Sequence, residues 1–131
     1  LPLIIIFTAF ILSVMLVKIR VVESGWNEGE YRYLMAEEII RTHGGQEEDI
    51  VVTVNPPAYN AMTGRRAIVI PDGGMEVLLT AARKFAANYV IVEKNRSPSL
   101  FQYLSDETNP HLGLIDIGGT ESVRIYAIAT K

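Results

Sequence analysis

Leu1 to Val17 (LPLIIIFTAFILSVMLV) runs without a charged residue and ends abruptly at Lys18 and Arg20. Nothing else in the chain constrains its fold so strongly, because a helix apolar all round must be buried in a large core or in a membrane. At about 1.5 Å of rise per residue the run reaches roughly 26 Å, slightly short of the ~30 Å hydrocarbon core of a bilayer. Thr8 and Ser13 are its only polar residues, and both can bond back to their own helix. Pro2 stands where a helix start tolerates it. A signal peptide would carry a basic region before the apolar stretch and small residues at a cleavage site after it. Here nothing basic precedes the run, and its exit reads Met15-Leu16-Val17-Lys18-Ile19-Arg20. Residues 1–20 are therefore read as a transmembrane helix. Because the chain starts with Leu, the expectation is that the numbering opens partway through that helix and that more protein lies upstream.

The 12 Lys and Arg and 15 Asp and Glu residues all follow the run, for a net charge of −3. Residues 21–131 suffice for one small domain with a single core. The basic residues are scattered, so no broad surface for nucleic acid is offered. With no Cys, disulfides, thiolate metal sites and cysteine nucleophiles are excluded.

Residues 21–27 (VVESGWN) read as a juxtamembrane connector. Trp26 fits either the headgroup region, where amphipathic rings concentrate, or packing on the domain. From Glu28 to His43, Tyr31, Leu34, Met35 and Ile39 recur at helical spacing, and Gly44-Gly45 supplies a stop. Ile50 to Val54 (IVVTV) and Ala67 to Ile70 (AIVI) are uniformly apolar, as strands covered on both faces should be. Asp72 is expected to cap a helix whose stripe is Met75, Leu78, Leu79, Ala82, Phe85 and Ala86. Tyr89 to Val92 reads as a third buried strand, with Glu93-Lys94 as its exit, and Ser97-Pro98 as the start of another helix. Leu112 to Ile117 and Val123 to Ala129 read as two antiparallel strands joined around Gly118-Gly119. The succession predicts an α/β domain over 28–131: a small three-layer sheet, parallel in the centre with a C-terminal antiparallel hairpin, preceded by one transmembrane helix.

The most distinctive stretch is Asn55 to Pro71 (NPPAYNAMTGRRAIVIP), which leaves the carboxyl end of the first strand. Open α/β sheets usually place ligand sites there. Asn55 is a good N-cap, followed by prolines at the first helical positions and by Gly64 as a stop. Two readings stand side by side. The stretch is a well-formed crossover and nothing more, with Arg65 and Arg66 solvated or snorkelling along apolar surface. Alternatively Asn55, Tyr59, Thr63, Arg65 and Arg66 meet an acceptor, a phosphate or the membrane surface, since guanidinium pairs with phosphate in a forked geometry. Lys18, Arg20 and Trp26 would lie at the membrane interface. Pro71-Asp72-Gly73-Gly74 lacks the Lys-Ser/Thr of a P-loop. His43 and His111 belong to no ligand-spaced set, so no metal site is expected. Glu37-Glu38 and Glu47-Glu48-Asp49 read as solvated faces rather than an acid/base pair. No catalytic residue is assigned.

A further pattern emerges when these pieces are set in order. A membrane span leads into a helix carrying Tyr31-Arg32-Tyr33, then a strand ending Asn55-Pro56-Pro57, a Tyr59…Thr63-Gly64-Arg65 turn and a strand ending at Pro71. Ala82-Arg83-Lys84-Phe85, Asn88 to Glu93 and Val123-Arg124-Ile125-Tyr126 follow. Together this resembles the C-terminal extracytoplasmic domain of bacterial membrane glycosyltransferases of family 39, relatives of the protein mannosyltransferases and of the aminoarabinose lipid A transferase. The resemblance implies a polytopic enzyme of the plasma membrane that moves a sugar from a polyprenyl-phosphate donor to a protein or lipid acceptor. It implies that this span is the last of several, and that the catalytic acid, the donor contacts and any divalent metal belong to the upstream membrane part. The domain would be an accessory lid, with no cofactor of its own, partnered by the lipid bilayer and the upstream helices. Lys18 and Arg20 pull the other way, since the positive-inside rule would put the domain in the cytoplasm. The alternative reading is a single-span protein whose α/β domain is a binding or assembly module within a membrane complex.

Overall fold

The computed structural model describes residues 1–23 and 28–129. The chain divides into two compact units, Leu1–Tyr31 and Arg32–Lys131.

The first unit is dominated by helix α1, Pro2–Val17, with Pro2 in its first turn. The helix continues through a π-helical turn, Lys18–Glu23. The stretch Pro2–Val21 is 20 residues long, with a mean hydropathy of 2.5 and none of it buried. By length and composition it can cross a membrane: twenty residues at about 1.5 Å each match the ~30 Å core. The sequence-based length stopped at the first charge, and helical continuation past Lys18 makes up the shortfall. Lys18 and Arg20 are exposed on that turn, whereas Trp26 and the rest of the connector's end lie outside the described residues.

The second unit is a five-stranded sheet in the order β2-β1-β3-β5-β4. Its strands are β1 (Ile50–Thr53), β2 (Ala67–Val69), β3 (Ala87–Glu93), β4 (Leu114–Gly119) and β5 (Val123–Ile128). β1 pairs parallel with β2 and β3, in registers that include Val51 with Ala67 and Val51 with Tyr89. β3, β5 and β4 pair antiparallel, with Ile91 opposite Ile125 and Leu114 opposite Ile128. The sheet is thus parallel in the centre and antiparallel towards the C-terminus.

Helices α2 (Glu28–Thr42) and α3 (Pro56–Thr63) cover one face, and α4 (Gly74–Lys84) and α5 (Pro98–Ser105) the other. The crossover through α3 moves outward from β1 to β2, and the one through α4 moves back past β1 to β3. Reversing direction puts the two helices on opposite faces, as crossovers of one hand require. Alternation along the strands feeds both cores. Val51, Tyr89, Ile91 and Ile125 pack with Tyr33, Ala36, Ile40 and Tyr59. Val52, Val90, Val92 and Tyr126 pack with Met75, Leu78, Leu79, Ala82 and Leu104. β3 is covered on both faces, which is why its sequence is so uniformly apolar.

Five local expectations are corrected. Ala67 to Ile70, expected to be covered on both faces, forms the edge strand β2, with Val69 exposed. The buried stripe of α2 is Tyr33, Ala36, Glu37 and Ile40, while Tyr31 and Leu34 are exposed. Helix α4 has Gly73 rather than Asp72 at its N-cap, with φ 119°; a left-handed residue there favours glycine, and Asp72 is left one position outside the helix. Phe85 and Ala86 fall outside the α4 stripe, both exposed. The β4–β5 connection is Thr120 to Ser122, closed by Thr120 N–H donating to the Val123 carbonyl at 2.7 Å. Gly118 and Gly119 instead stand within the ladder, beside a register shift after Asp116.

Among the described residues two that are not glycine hold left-handed backbone, Ala86 at φ 51° and Leu112 at φ 49°. Such positions cost an L-residue on the order of 1–2 kcal/mol.

Candidate functional site

The crossover from β1 to β2 begins with Asn55, whose side-chain oxygen accepts the Ala58 N–H at 3.3 Å and caps α3. Pro56 and Pro57 fill the first positions, and Gly64, left-handed at φ 76°, ends the helix. Tyr59 is fully buried. The Thr63 hydroxyl donates to the Tyr59 carbonyl at 2.8 Å and accepts the Arg65 N–H at 3.2 Å. The two arginines then diverge. Arg65 turns inward, only 4% exposed, whereas Arg66 stays in solvent and donates to the Glu48 carbonyl at 2.8 Å.

Arg65 meets Glu37 of α2. Its Nε and Nη2 reach the two carboxylate oxygens at 2.8 Å each, a forked pair. Tyr59 Oη donates to the same carboxylate at 2.7 Å and Arg41 Nε at 2.8 Å. Arg65 Nη1 donates onward to the Gln46 carbonyl. Burial pushes the Glu37 carboxyl up, but the hydrogen bonds from Arg65, Tyr59 and Arg41 outweigh it and hold the group down at about 2. Burial, then the bond to Glu37, push the Tyr59 phenol up. The Glu37 bond raises Arg65. Glu37 was expected on a solvated face; it is instead a buried anion held by three donors. Arg65 is neither solvated nor snorkelling.

A second buried carboxylate, Glu93, ends β3 with no exposure at all. Tyr33 Oη donates to its Oε1 at 2.9 Å. Arg32 Nη1 lies 3.0 Å and Arg96 Nε 3.7 Å from Oε2. Neither arginine makes a well-directed hydrogen bond to that oxygen, which along with Thr53 Oγ1 is buried without a hydrogen-bond partner among the described residues. Burial and the neighbouring carboxylate push the Tyr33 phenol up to about 12. The rings of Tyr33 and Tyr59 meet edge to face at 5.5 Å. The two carboxylates are therefore linked reciprocally: α2 gives a tyrosine to Glu93 and receives one on Glu37.

Thr53 and Glu93 mark the carboxyl ends of β1 and β3, whose following helices leave to opposite faces of the sheet. This is the switch point at which open α/β sheets take their ligands. Here it is filled from within, by Glu93, Tyr33 and Thr53, with Arg32 and Arg96 above. The Glu93 carboxylate is thus fully enclosed, bonded to Tyr33 and flanked by the two arginines. The only sign of Glu93 in the sequence was its place after an apolar strand, and that reads equally as an exit.

Among the described residues no three His, Asp or Glu side chains gather as metal ligands. His43 Nδ1 lies 2.9 Å from the Ile39 carbonyl. His111 packs edge-on to Tyr126, and its buried Nε2 has no hydrogen-bond partner among the described residues. No protein-family model, curated protein or solved structure matches the chain.

Proposed function

We propose that this chain is the last membrane span and the accessory extracytoplasmic domain of a polytopic plasma-membrane glycosyltransferase. Such an enzyme transfers a sugar from a polyprenyl-phosphate donor to a protein or lipid acceptor. The domain is not catalytic by itself. The observation that carries its accessory character is the filled switch point: the fold's usual ligand position is occupied by Glu93, Tyr33 and Thr53. The other buried carboxylate, Glu37, is equally committed, to Arg65, Tyr59 and Arg41. Further support comes from the wholly exposed apolar helix Pro2–Val21 and from the sequence resemblance. The catalytic acid and any divalent metal then belong to the upstream membrane part.

The test is transfer of a labelled sugar from a polyprenyl-phosphate donor by membranes containing the polypeptide that bears this sequence. Transfer is expected. Asp72→Asn and Glu121→Gln, which alter exposed acids near the carboxyl end of the sheet, should leave its rate within about twofold. A loss of more than about a hundredfold in either variant would make the domain catalytic. Absence of transfer, with a short polypeptide copurifying with partner subunits, would favour the single-span assembly module instead.

A further inference from the structure

At the amino-terminal end of β3, on the face of the sheet opposite the Glu37–Arg65 pair, a groove of about 960 Å³ runs between α4 and the β4–β5 pair. Its floor is apolar, built from Leu79, Ala82, Ala87 and Ile128. Both left-handed non-glycine residues, Ala86 and Leu112, stand on its rim. Strained backbone of this kind persists where the surroundings fix it, and it clusters at ligand clamps. Leu112 on the rim is about half exposed, as is Phe85 next to Ala86 in the chain. Arg83 lines the mouth without a carboxylate or hydrogen-bond partner for its side chain among the described residues. Lys84 follows it, 5.7 Å above the Phe85 ring. The opposing acid, Glu76, is two helical turns away along α4.

An apolar trough with an uncompensated cation at one end is complementary to a molecule that is apolar along its length and anionic at its head. The volume lies within the range of small-ligand sites, which are mostly apolar with a few placed polar groups. We infer that this groove binds a single-chain amphiphile with an anionic head, of the fatty-carboxylate class. The chain would lie over Leu79, Ala82 and Ile128, and the head would rest on Arg83. The inference stands on the groove alone and does not depend on the transferase reading.

The full chain, reconstituted in phosphatidylcholine nanodiscs, can be exposed to a diazirine-bearing dodecanoic acid and, separately, to the matching dodecanol. After illumination, labelled peptides are mapped by mass spectrometry. The acid should label the segments 79–88 and 112–129 in addition to Pro2–Val21, and the alcohol should label the two groove segments less. Thr80→Trp, at an exposed rim position, should cut groove labelling about tenfold by occupying the trough. Arg83→Glu, also exposed, should cut it about fivefold for the acid alone. Labelling confined to Pro2–Val21 would overturn the inference, as would groove labelling that both variants leave unchanged. Equal labelling by acid and alcohol would overturn the anionic head. Displacement of the acid by phosphatidylglycerol in the nanodisc would overturn the single-chain ligand in favour of a bilayer lipid.

Discussion

Glu37 shows how one side chain can be misjudged from its neighbours and then prove decisive. Among Glu38, Arg41 and the acidic run after Gly45 it resembles one more solvated charge, yet it is 5% exposed and bonded to Arg65, Arg41 and Tyr59. Breaking a buried pair from one side leaves the other charge stranded, which costs about 3–5 kcal/mol. Arg65→Ala should therefore lower the unfolding free energy obtained from urea titration by an amount in that range. Arg66→Ala, on the next residue but in solvent, should change stability by no more than about 0.5 kcal/mol. The pair of arginines reads as one motif in the sequence, and adjacent residues on a turn point in opposite directions. Glu37 also carries a pH signature. Its carboxyl sits at about 2 in the folded chain against an ordinary 4.5. A lowered folded value means that its contribution is complete above the ordinary value and is lost as pH falls towards the folded one. The stability gap between the native chain and Glu37→Gln should thus be widest above pH 4.5 and should close as pH approaches 2. Circular dichroism of urea unfolding at stepped pH measures it, and a gap that stays constant through this window would show that Glu37 is not the group responsible.

At the scale of elements, legibility followed how purely apolar each buried face is. β1 and β3 are β-branched runs with both faces covered, and α3 carries its own punctuation in Asn55, Pro56-Pro57 and Gly64; all three are plain in the sequence. Helix α2 is not, because its inward stripe of Tyr33, Ala36, Glu37 and Ile40 includes a carboxylate and a small residue. A search for apolar periodicity then settles on Leu34, which the fold leaves 41% exposed. The two assignments predict opposite outcomes. Ile40→Ala should cost about 2–5 kcal/mol by opening a cavity against Val51 and Ile91, whereas Leu34→Glu should change the unfolding free energy by no more than about 0.5 kcal/mol. The polar clusters were hidden for a related reason: Glu93–Tyr33 and Glu37–Arg65 join residues 60 and 28 positions apart, beyond any local spacing rule. The hairpin shows the same limit at shorter range. Gly118-Gly119 looks like a turn, but a Cβ on Gly119 would collide with the Val123 carbonyl, and φ there is 140°. The glycine is needed for close strand approach, so Gly119→Ala should destabilise the β4–β5 pair and speed amide exchange along β5 before it affects β1.

At the scale of the whole molecule the proposed function puts the domain on the extracytoplasmic side, and two features of the chain bear on that placement. Lys18 and Arg20 follow the apolar helix directly, and an isolated span with such a flank leaves its charged end in the cytoplasm. A final span in a polytopic protein takes its orientation from the helices before it, so the same two charges carry little weight if the transferase reading holds. Residues 1–131 hold no cysteine, so a thiol placed among them reports on the domain directly. Ser99→Cys introduces a thiol, the one such group in residues 1–131, on the exposed first turn of α5; mapping the labelled peptide separates it from thiols elsewhere in the polypeptide. In intact cells expressing the polypeptide that bears this sequence, a membrane-impermeant maleimide should label that thiol without permeabilisation. Replacing Lys18 and Arg20 together by Gln should leave the labelling as it was, because orientation is then imposed from upstream. Labelling only after permeabilisation would place the domain in the cytoplasm and remove the extracytoplasmic lid from consideration. A change of side on removing the two charges would mean that this helix sets its own orientation, as a single-span module does and a last span does not.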